Sequence, residues 1–390
     1  MEEVYLHRME EYLRNCVEEG EIAGANFLLY RQGVEEAYFE TGFADLEAGK
    51  PIRRDTIFSL YSMSKPVTAA AVMKLFEMGK IDLQDPVSQY LPGFHSQRVE
   101  EGERDVPVHR ECTLHDLLSM TSGLPYNGME SRPAREADVV FQELEDRAMG
   151  ENPMTTQEFA NRVGSCALSF HPGEHWMYGT SADVLGAVVE VASGKRFGEF
   201  LREYFFEPLH MQDTGFYVPA EKQERLSKVY TKTPEGLRRY DGHHLGIFRE
   251  KIESPAFESG GAGLFTTIDD YMRFGRMLLQ KGELEGERIL SSKTVKYMTS
   301  CGLTQAQQAD FDLWPGLSGY TYGNLMRVLR DPGLAILNGS RGEYGWDGWL
   351  GPYFLNSPQD AMTFLFMYQK TDSGVTPMTR RLKNMLFAGM

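Results

Sequence analysis

The sequence predicts an α+β fold of the α/β-sandwich kind: an antiparallel sheet built from both chain ends and flanked by helices, beside a mostly helical second subdomain. Three observations predict it. Strand-like runs rich in β-branched and aromatic residues lie near the two ends of the chain. Helix-like pieces follow one another between about residues 82 and 265, with few such runs among them. The terminal segments themselves carry helical spacing, and strands at both ends with helices between them imply one shared sheet. Residues 1–81 and 265–390 are therefore expected to form the sheet-bearing subdomain and residues 82–264 the helical one, with an active site in the cleft between them.

Each element follows from local pattern. In the first helix Val4, Leu6, Met9, Tyr12 and Leu13 repeat at helical spacing. "GANFLLYRQG" and "VEEAYFETGFAD" read as two strands joined by a hairpin at "RQG". From Ser64 to Gly79 the positions Val67, Ala70, Ala71, Leu75 and Met78 mark a helix apolar enough to be buried, and Gly79 suits its C-terminal cap. "TLHDLLSMTSG", "TTQEFANRVGSCAL", "ADVLGAVVEVASG" and "FGEFLREYFFEPL" supply the middle helices, linked by Pro- and Gly-rich turns. "TTIDDYMRFGRMLLQKG" is a further helix, with Thr267 as N-cap and Asp270 three residues on. Strand signals return in "LAILNG", "GEYGWDGWLGPYFLNS" and "AMTFLFMYQ", before a last helix in "TPMTRRLKNMLFAG".

Composition bounds the function. The 390 residues are 42% hydrophobic and 25% charged, the profile of a globular chain with a sizeable core. Asp and Glu total 56 against 40 Lys and Arg, a formal charge of −16, and no basic run forms a stripe. Nucleic acid and anionic membranes are thus poor partners, and a small-molecule substrate is the expected one. The acidic N-terminus lacks a cationic segment followed by an apolar one, so a cytoplasmic location is expected. Cys16, Cys112, Cys166 and Cys301 are widely spaced and read as reduced thiols. His243 and His244 adjoin without a third ligand at metal spacing, and read as loop residues. His171 reads as structural, and no G-x-S-x-G elbow is present.

The candidate chemistry begins at "FSLYSMSK", where Ser62 and Lys65 stand three residues apart at a helix start. Residues at that spacing share one helical face, so the amine can lean over the hydroxyl. An amine accepts a proton only when uncharged, which desolvation among Leu60, Tyr61, Met63, Pro66 and Val67 favours. Helix N-terminal N–H groups can stabilise an oxyanion. A serine at a helix start is equally an ordinary cap, and the spacing alone leaves both readings open.

The S-x-x-K pattern is that of penicillin-binding proteins and serine β-lactamases, and "FSLYSMSKPVTAAAVMKLFEMGKIDLQDPVSQYLPGF" resembles that superfamily. It is most similar to the branch holding class C β-lactamases, D-alanyl-D-alanine carboxypeptidases and, nearest, family VIII carboxylesterases. The resemblance continues in order through "TLHDLLSMTSGLPY", "FHPGEHWMYGTSADVLGAVVEVASG", "ESGGAGLFTTIDDYMRFGRMLLQKGELEGERIL" and "YGWDGWLGPYFLNSP", covering nearly the whole chain.

The resemblance implies a β-lactamase/transpeptidase-like fold and a serine hydrolase working through an acyl-enzyme, with no metal or cofactor. Ser62 would be the nucleophile, with Lys65 and Tyr178 moving the proton. Tyr178, in "YGT", matches the family's Y-x-N tyrosine, and a phenol near an amine can have its pKa lowered. A buried core tyrosine is the alternative reading. Thr180 stands where the family has the Asn that helps hold the substrate, so it is a candidate substrate contact, though it lacks the paired donor and acceptor of an amide. Trp346, Asp347 and Gly348 match the K-T-G strand, and the lysine that attracts a substrate carboxylate is replaced by tryptophan. Asp347 adds the opposite sign unless Arg341 or another cation reaches it. Trp349 matches the position whose N–H completes the oxyanion hole with that of Ser62, whereas "WDGW" alone also reads as a type I′ turn. Tyr126 and Asn127, in the matching pocket loop, are candidate substrate contacts. Tyr126, Trp176, Tyr344, Trp346, Trp349 and Tyr353 suggest a pocket for an apolar or aryl acyl group. The substitutions at 180 and 346, with the absence of an export signal, favour a carboxylesterase or amidase over a β-lactamase, a D-aminopeptidase or a cell-wall peptidase of the D-Ala-D-Ala carboxypeptidase type. Whether water or, as in an acyltransferase, another nucleophile takes the acyl group stays open, and a non-enzymatic binding module is disfavoured because Ser62, Lys65 and Tyr178 are all in place.

Overall fold

Alternation along the strand Gly24–Arg31 sets the architecture, because Phe27 and Leu29 point to one face while Leu28 points to the other, and all are buried. A strand apolar on both faces must lie inside a sheet covered on both sides. In the computed structural model, which describes residues 1–102, 104–300 and 302–390, it does. It is held between Val34–Asp45 and Met362–Tyr368 in an eight-stranded antiparallel sheet. Across the sheet the strands run Tyr320–Gly323, Met326–Leu329, Tyr344–Asp347, Tyr353–Ser357, Met362–Tyr368, Gly24–Arg31, Val34–Asp45 and Lys50–Pro51. The two ends of the chain meet in the pair Phe27 opposite Phe366.

On one face the terminal helices Glu3–Glu18 and Pro377–Ala388 bring Met9, Leu13, Leu382 and Leu386 against Phe27, Leu29, Phe364 and Phe366. On the other, Tyr271 and Phe274 of the helix Ile268–Leu279 pack on Leu28, Phe354 and Leu365. Each fully buried Phe or Leu contributes about 1.5–3 kcal/mol. Thr267 caps that helix by accepting the Asp270 N–H.

The first hairpin turns at Gln32 and Gly33, both at positive φ, which matches the expected "RQG" turn. Between 82 and 264 the chain holds the helices Leu114–Leu118, Arg132–Arg147, Thr156–Gly164, Ser181–Ser193 and Phe197–Leu201, with two small hairpins. The expected strand in "LAILNG" is absent. Asp331 instead accepts the N–H groups of Gly333 and Leu334, and Pro332 opens a short helix, Pro332–Ala335. An Asp-Pro helix start overrides the apolar run. The hairpin pairing Tyr320–Gly323 with Met326–Leu329 supplies that edge of the sheet. Cys16, Cys112 and Cys166 are buried and unbonded, while Cys301 lies outside the described residues. No helix among the described residues is long and apolar enough to cross a membrane.

Candidate active site

The approach to Ser62 is strained. The strand Phe58–Ser59, paired with Phe265–Thr266, runs into a 3-10 turn, Tyr61–Ser64, and then the helix Lys65–Glu77. Tyr61 takes φ +46°, unusual for a bulky buried residue. Such a conformation costs on the order of 1–3 kcal/mol and persists only where packing over-determines it. Here the Tyr61 ring packs against Trp349 at 5.1 Å and His244 at 5.9 Å. The result is that, from Tyr61 to Met73, Ser62 is the one residue that is not buried. It does not cap the helix, since Ser64 occupies that position, and the Ser64 hydroxyl accepts the Leu264 N–H.

Lys65 is fully buried, and its Nζ lies 3.1 Å from Ser62 Oγ, 3.0 Å from the Tyr126 hydroxyl and 2.9 Å from the Gly261 carbonyl. Burial brings its pKa down to about 7, against the opposing pull of Asp183 and Asp347. A neutral amine has two hydrogens and one lone pair. The carbonyl takes one hydrogen, one hydroxyl takes the second, and the other hydroxyl can donate to the lone pair.

Tyr178 stands opposite, its hydroxyl accepting from Trp346 Nε1 at 3.0 Å. Its ring centroid is 4.6 Å from Lys65 Nζ and 4.8 Å from the Trp314 ring. The expectation of a lowered phenol pKa is corrected: burial pushes it up, although hydrogen bonds from Ser62 and Trp346 work the other way. Tyr178 is therefore the protonated partner, and the amine is the group that titrates near neutrality.

The far wall comes from the strand Tyr344–Asp347 and the turn after it. Asp347 pairs with Tyr353, so the connection spans Gly348 to Pro352 rather than a two-residue Asp-Gly turn. A Cβ on Gly348 would meet the Leu60 carbonyl at 2.1 Å, so only glycine lets the wall approach the nucleophile turn this closely. The Trp349 N–H has no acceptor among the described residues, and Ser62 lies in the first turn of a helix, where N–H groups have no intrahelical partner. Asp347 is ion-paired with Arg327, a buried residue of the neighbouring strand, whereas Arg341 is exposed.

A cavity of about 290 Å³ joins Ser62 and Tyr178 to Trp314, Leu317, Trp346, Asp347, Trp349 and Asp372. Two larger cavities, of about 730 and 850 Å³, touch none of these residues. Three expected substrate contacts sit elsewhere. The Thr180 side chain is buried and donates to the Pro125 carbonyl, because its short hydroxyl finds an acceptor in the adjoining loop. Asn127 donates to Asp138 on the helix Arg132–Arg147. Tyr126 meets the lysine rather than the cavity lining. Of the other aromatics, Trp176 packs behind Tyr178, Tyr344 accepts from Asn356, and Tyr353 flanks Arg327.

Trp314, Arg327, Gly261 and Asp183 complete the surroundings, and none stood out in the sequence. The one signal was the "WPG" turn at Trp314, which places an aromatic residue in a loop. The His244 ring packs tilted against Trp349 at 4.3 Å and His243 likewise against Phe248, and His171 accepts the His109 N–H. No group of three or more His, Cys, Asp or Glu among the described residues is placed to hold a metal ion.

The family model described as Beta-lactamase matches residues 9–386. An uncharacterized protein of Mycobacterium tuberculosis is 31% identical over 366 residues, 92% of this chain and 88% of its own. Esterase EstB of Burkholderia gladioli is 29% identical over 394 residues, 98% of this chain and 95% of its own. Among solved structures, EstCE1, a hydrolase with promiscuous acyltransferase activity, superposes with a TM-score of 0.79 at 26% identity, covering 99% of this chain and 98% of its own. Simvastatin synthase of Aspergillus terreus shares the fold at a TM-score of 0.81 and 21% identity, over 99% of this chain and 97% of its own. A match that runs through nearly the whole length, on a fold shared with these structures, makes this chain a member of the Beta-lactamase family.

Proposed function

We propose that this protein is a carboxylesterase-like serine hydrolase that cleaves a small, uncharged ester or amide through an acyl-enzyme. The observation that carries the reading is the fully buried Lys65 amine, its pKa brought down to about 7 by burial, 3.1 Å from the one solvent-reaching hydroxyl of its helix start. Ser62 Oγ attacks the substrate carbonyl carbon while its proton passes to Lys65. The oxyanion is held by the N–H groups of Ser62 and Trp349. As the bond to the leaving group breaks, Tyr178 protonates the departing atom and recovers its own proton from Lys65. Water then attacks the acyl-serine, reversing the proton path.

Substrate class follows from the wall. Trp314, Trp346 and Trp349 offer aromatic surface to an apolar or aryl acyl group. Among the described residues no cation lines the cavity where a carboxylate would sit, and Asp347 is already matched by Arg327 behind it. Esters without a carboxylate are therefore preferred to β-lactams and peptide C-termini. Buried, unbonded Cys16, Cys112 and Cys166 support a reducing, cytoplasmic setting.

The test is labelling by a fluorophosphonate probe, with turnover of p-nitrophenyl esters of graded chain length beside nitrocefin and a D-Ala-D-Ala peptide. Labelling and ester turnover should both vanish in Ser62→Ala. A folded parent protein that neither labels nor turns over esters would overturn the reading.

A further inference from the structure

Besides the Ser62 and Tyr126 hydroxyls, the Lys65 amine is held by the carbonyl of Gly261, in the turn that precedes the strand Phe265–Thr266. What holds that turn is Asp183, on the first turn of the helix Ser181–Ser193, five residues after Tyr178. Asp183 is 3% exposed. One of its oxygens, Oδ1, accepts both the Ser259 hydroxyl and the Gly261 N–H, the latter at 3.0 Å. The Ser259 hydroxyl in turn accepts the Ala262 N–H at 2.9 Å. A Cβ on Gly261 would meet Asp183 Oδ2 at 2.8 Å, so turn and carboxylate are in closest packing. One helical turn beyond Lys65, Thr68 donates to the Gly260 carbonyl at 2.6 Å, tying the same turn to the lysine's own helix. Two successive carbonyls of one turn thus receive two residues of the nucleophile helix, and a buried carboxylate fixes that turn from behind.

We propose that Asp183 is a positioning residue of this site: it clamps the turn whose Gly261 carbonyl fixes the Lys65 amine on Ser62, and it sets a negative charge behind that amine. The proposal rests on the hydrolase reading above. The groups that feel Asp183 are Lys65 on the nucleophile helix, Tyr126 in the pocket loop and Tyr178 ahead of its own helix. Asp347, from the sheet, acts on the same amine from the other side. Burial pushes the Asp183 carboxyl up from its ordinary range, and the Ser259 hydroxyl, Lys65 and the Gly261 N–H hold it back. Its ionised form favours the ammonium, so Asp183 keeps the lysine from losing its proton at still lower pH.

Two substitutions separate clamp from charge. In Asp183→Asn an amide oxygen can keep both Oδ1 bonds while the charge is removed. The acid limb of kcat/KM should then move about one unit to lower pH. Asp183→Ala loses the clamp as well, and kcat should fall about 100-fold, the usual consequence of misplacing a reacting group by about 1 Å. A purely structural residue would lower the amount of folded enzyme without moving the limb. Should Asp183→Ala fail to fold, the Asn variant still decides. The Lys65 titration, followed by ¹³Cε NMR and assigned with Lys65→Met, decides without any turnover. An unmoved limb and an unmoved Lys65 titration in Asp183→Asn overturn the proposal. If the parent protein shows neither labelling nor turnover, the hydrolase reading fails, while the NMR titration still tests Asp183 on its own.

Discussion

The two walls of the cavity solve different electrostatic problems. On the nucleophile side, Lys65 is buried with no carboxylate in contact among the described residues, and desolvation brings its pKa to about 7. On the far side, Asp347 is only partly buried and is answered directly by Arg327, so the charge is cancelled rather than suppressed. The difference teaches where function can reside. A lone buried amine is reactive because its proton is easily lost, whereas a matched pair is inert and leaves Trp346 and Trp349 to define what the cavity accepts.

Breaking the first wall should have the largest effect. Ser62→Ala should lower kcat on p-nitrophenyl esters by on the order of 10⁴-fold or more, since the nucleophile cannot be replaced. Tyr178→Phe, which keeps the ring packing and removes the proton donor, should cost about 10²- to 10³-fold in kcat, with little change in KM. Amine leaving groups should suffer more than p-nitrophenolate, which departs without a proton, and a series of graded leaving groups reads this directly.

Breaking the second wall should cost stability before chemistry. Arg327→Met leaves the partly buried Asp347 carboxylate without its cation and should destabilise the protein by about 3 kcal/mol in chemical denaturation, the low end for a broken buried pair. The double variant Arg327→Met with Asp347→Asn should regain most of that loss. The smallest effect is one of selectivity. Trp346→Lys places a cation beside the cavity and removes the donor to Tyr178. Turnover of neutral esters should fall about tenfold, while relative turnover of carboxylate-bearing substrates should rise by a similar factor.

The same contrast explains what could be read from residue order. Ser62 and Lys65 were legible because three-residue spacing on a helix is a local rule, and Tyr178 because "YGT" sits in a long ordered resemblance. The hairpin at Gln32 and Gly33 was legible for the same local reason. Arg327 was not, because its meeting with Asp347 depends on two strands lying side by side, and no spacing encodes that. Thr180 was assigned to the pocket by position, but a loop carbonyl captured its hydroxyl. Asp183 carries no local signal, because its place depends on the distant Gly260–Gly261 turn packing against it. "LAILNG" carried strand propensity that an Asp-Pro start overruled.

The central claim is that Lys65 is the base, poised by burial. Its most direct test is the rate of fluorophosphonate labelling at Ser62, measured from well below to well above neutrality. The rate should be low in acid, where the amine is protonated and cannot take the serine proton. It should rise through a single step near pH 7, where the buried amine loses its proton. A rate that stays flat across that range in the folded parent protein, or a step that persists unchanged in Lys65→Met, would contradict the account.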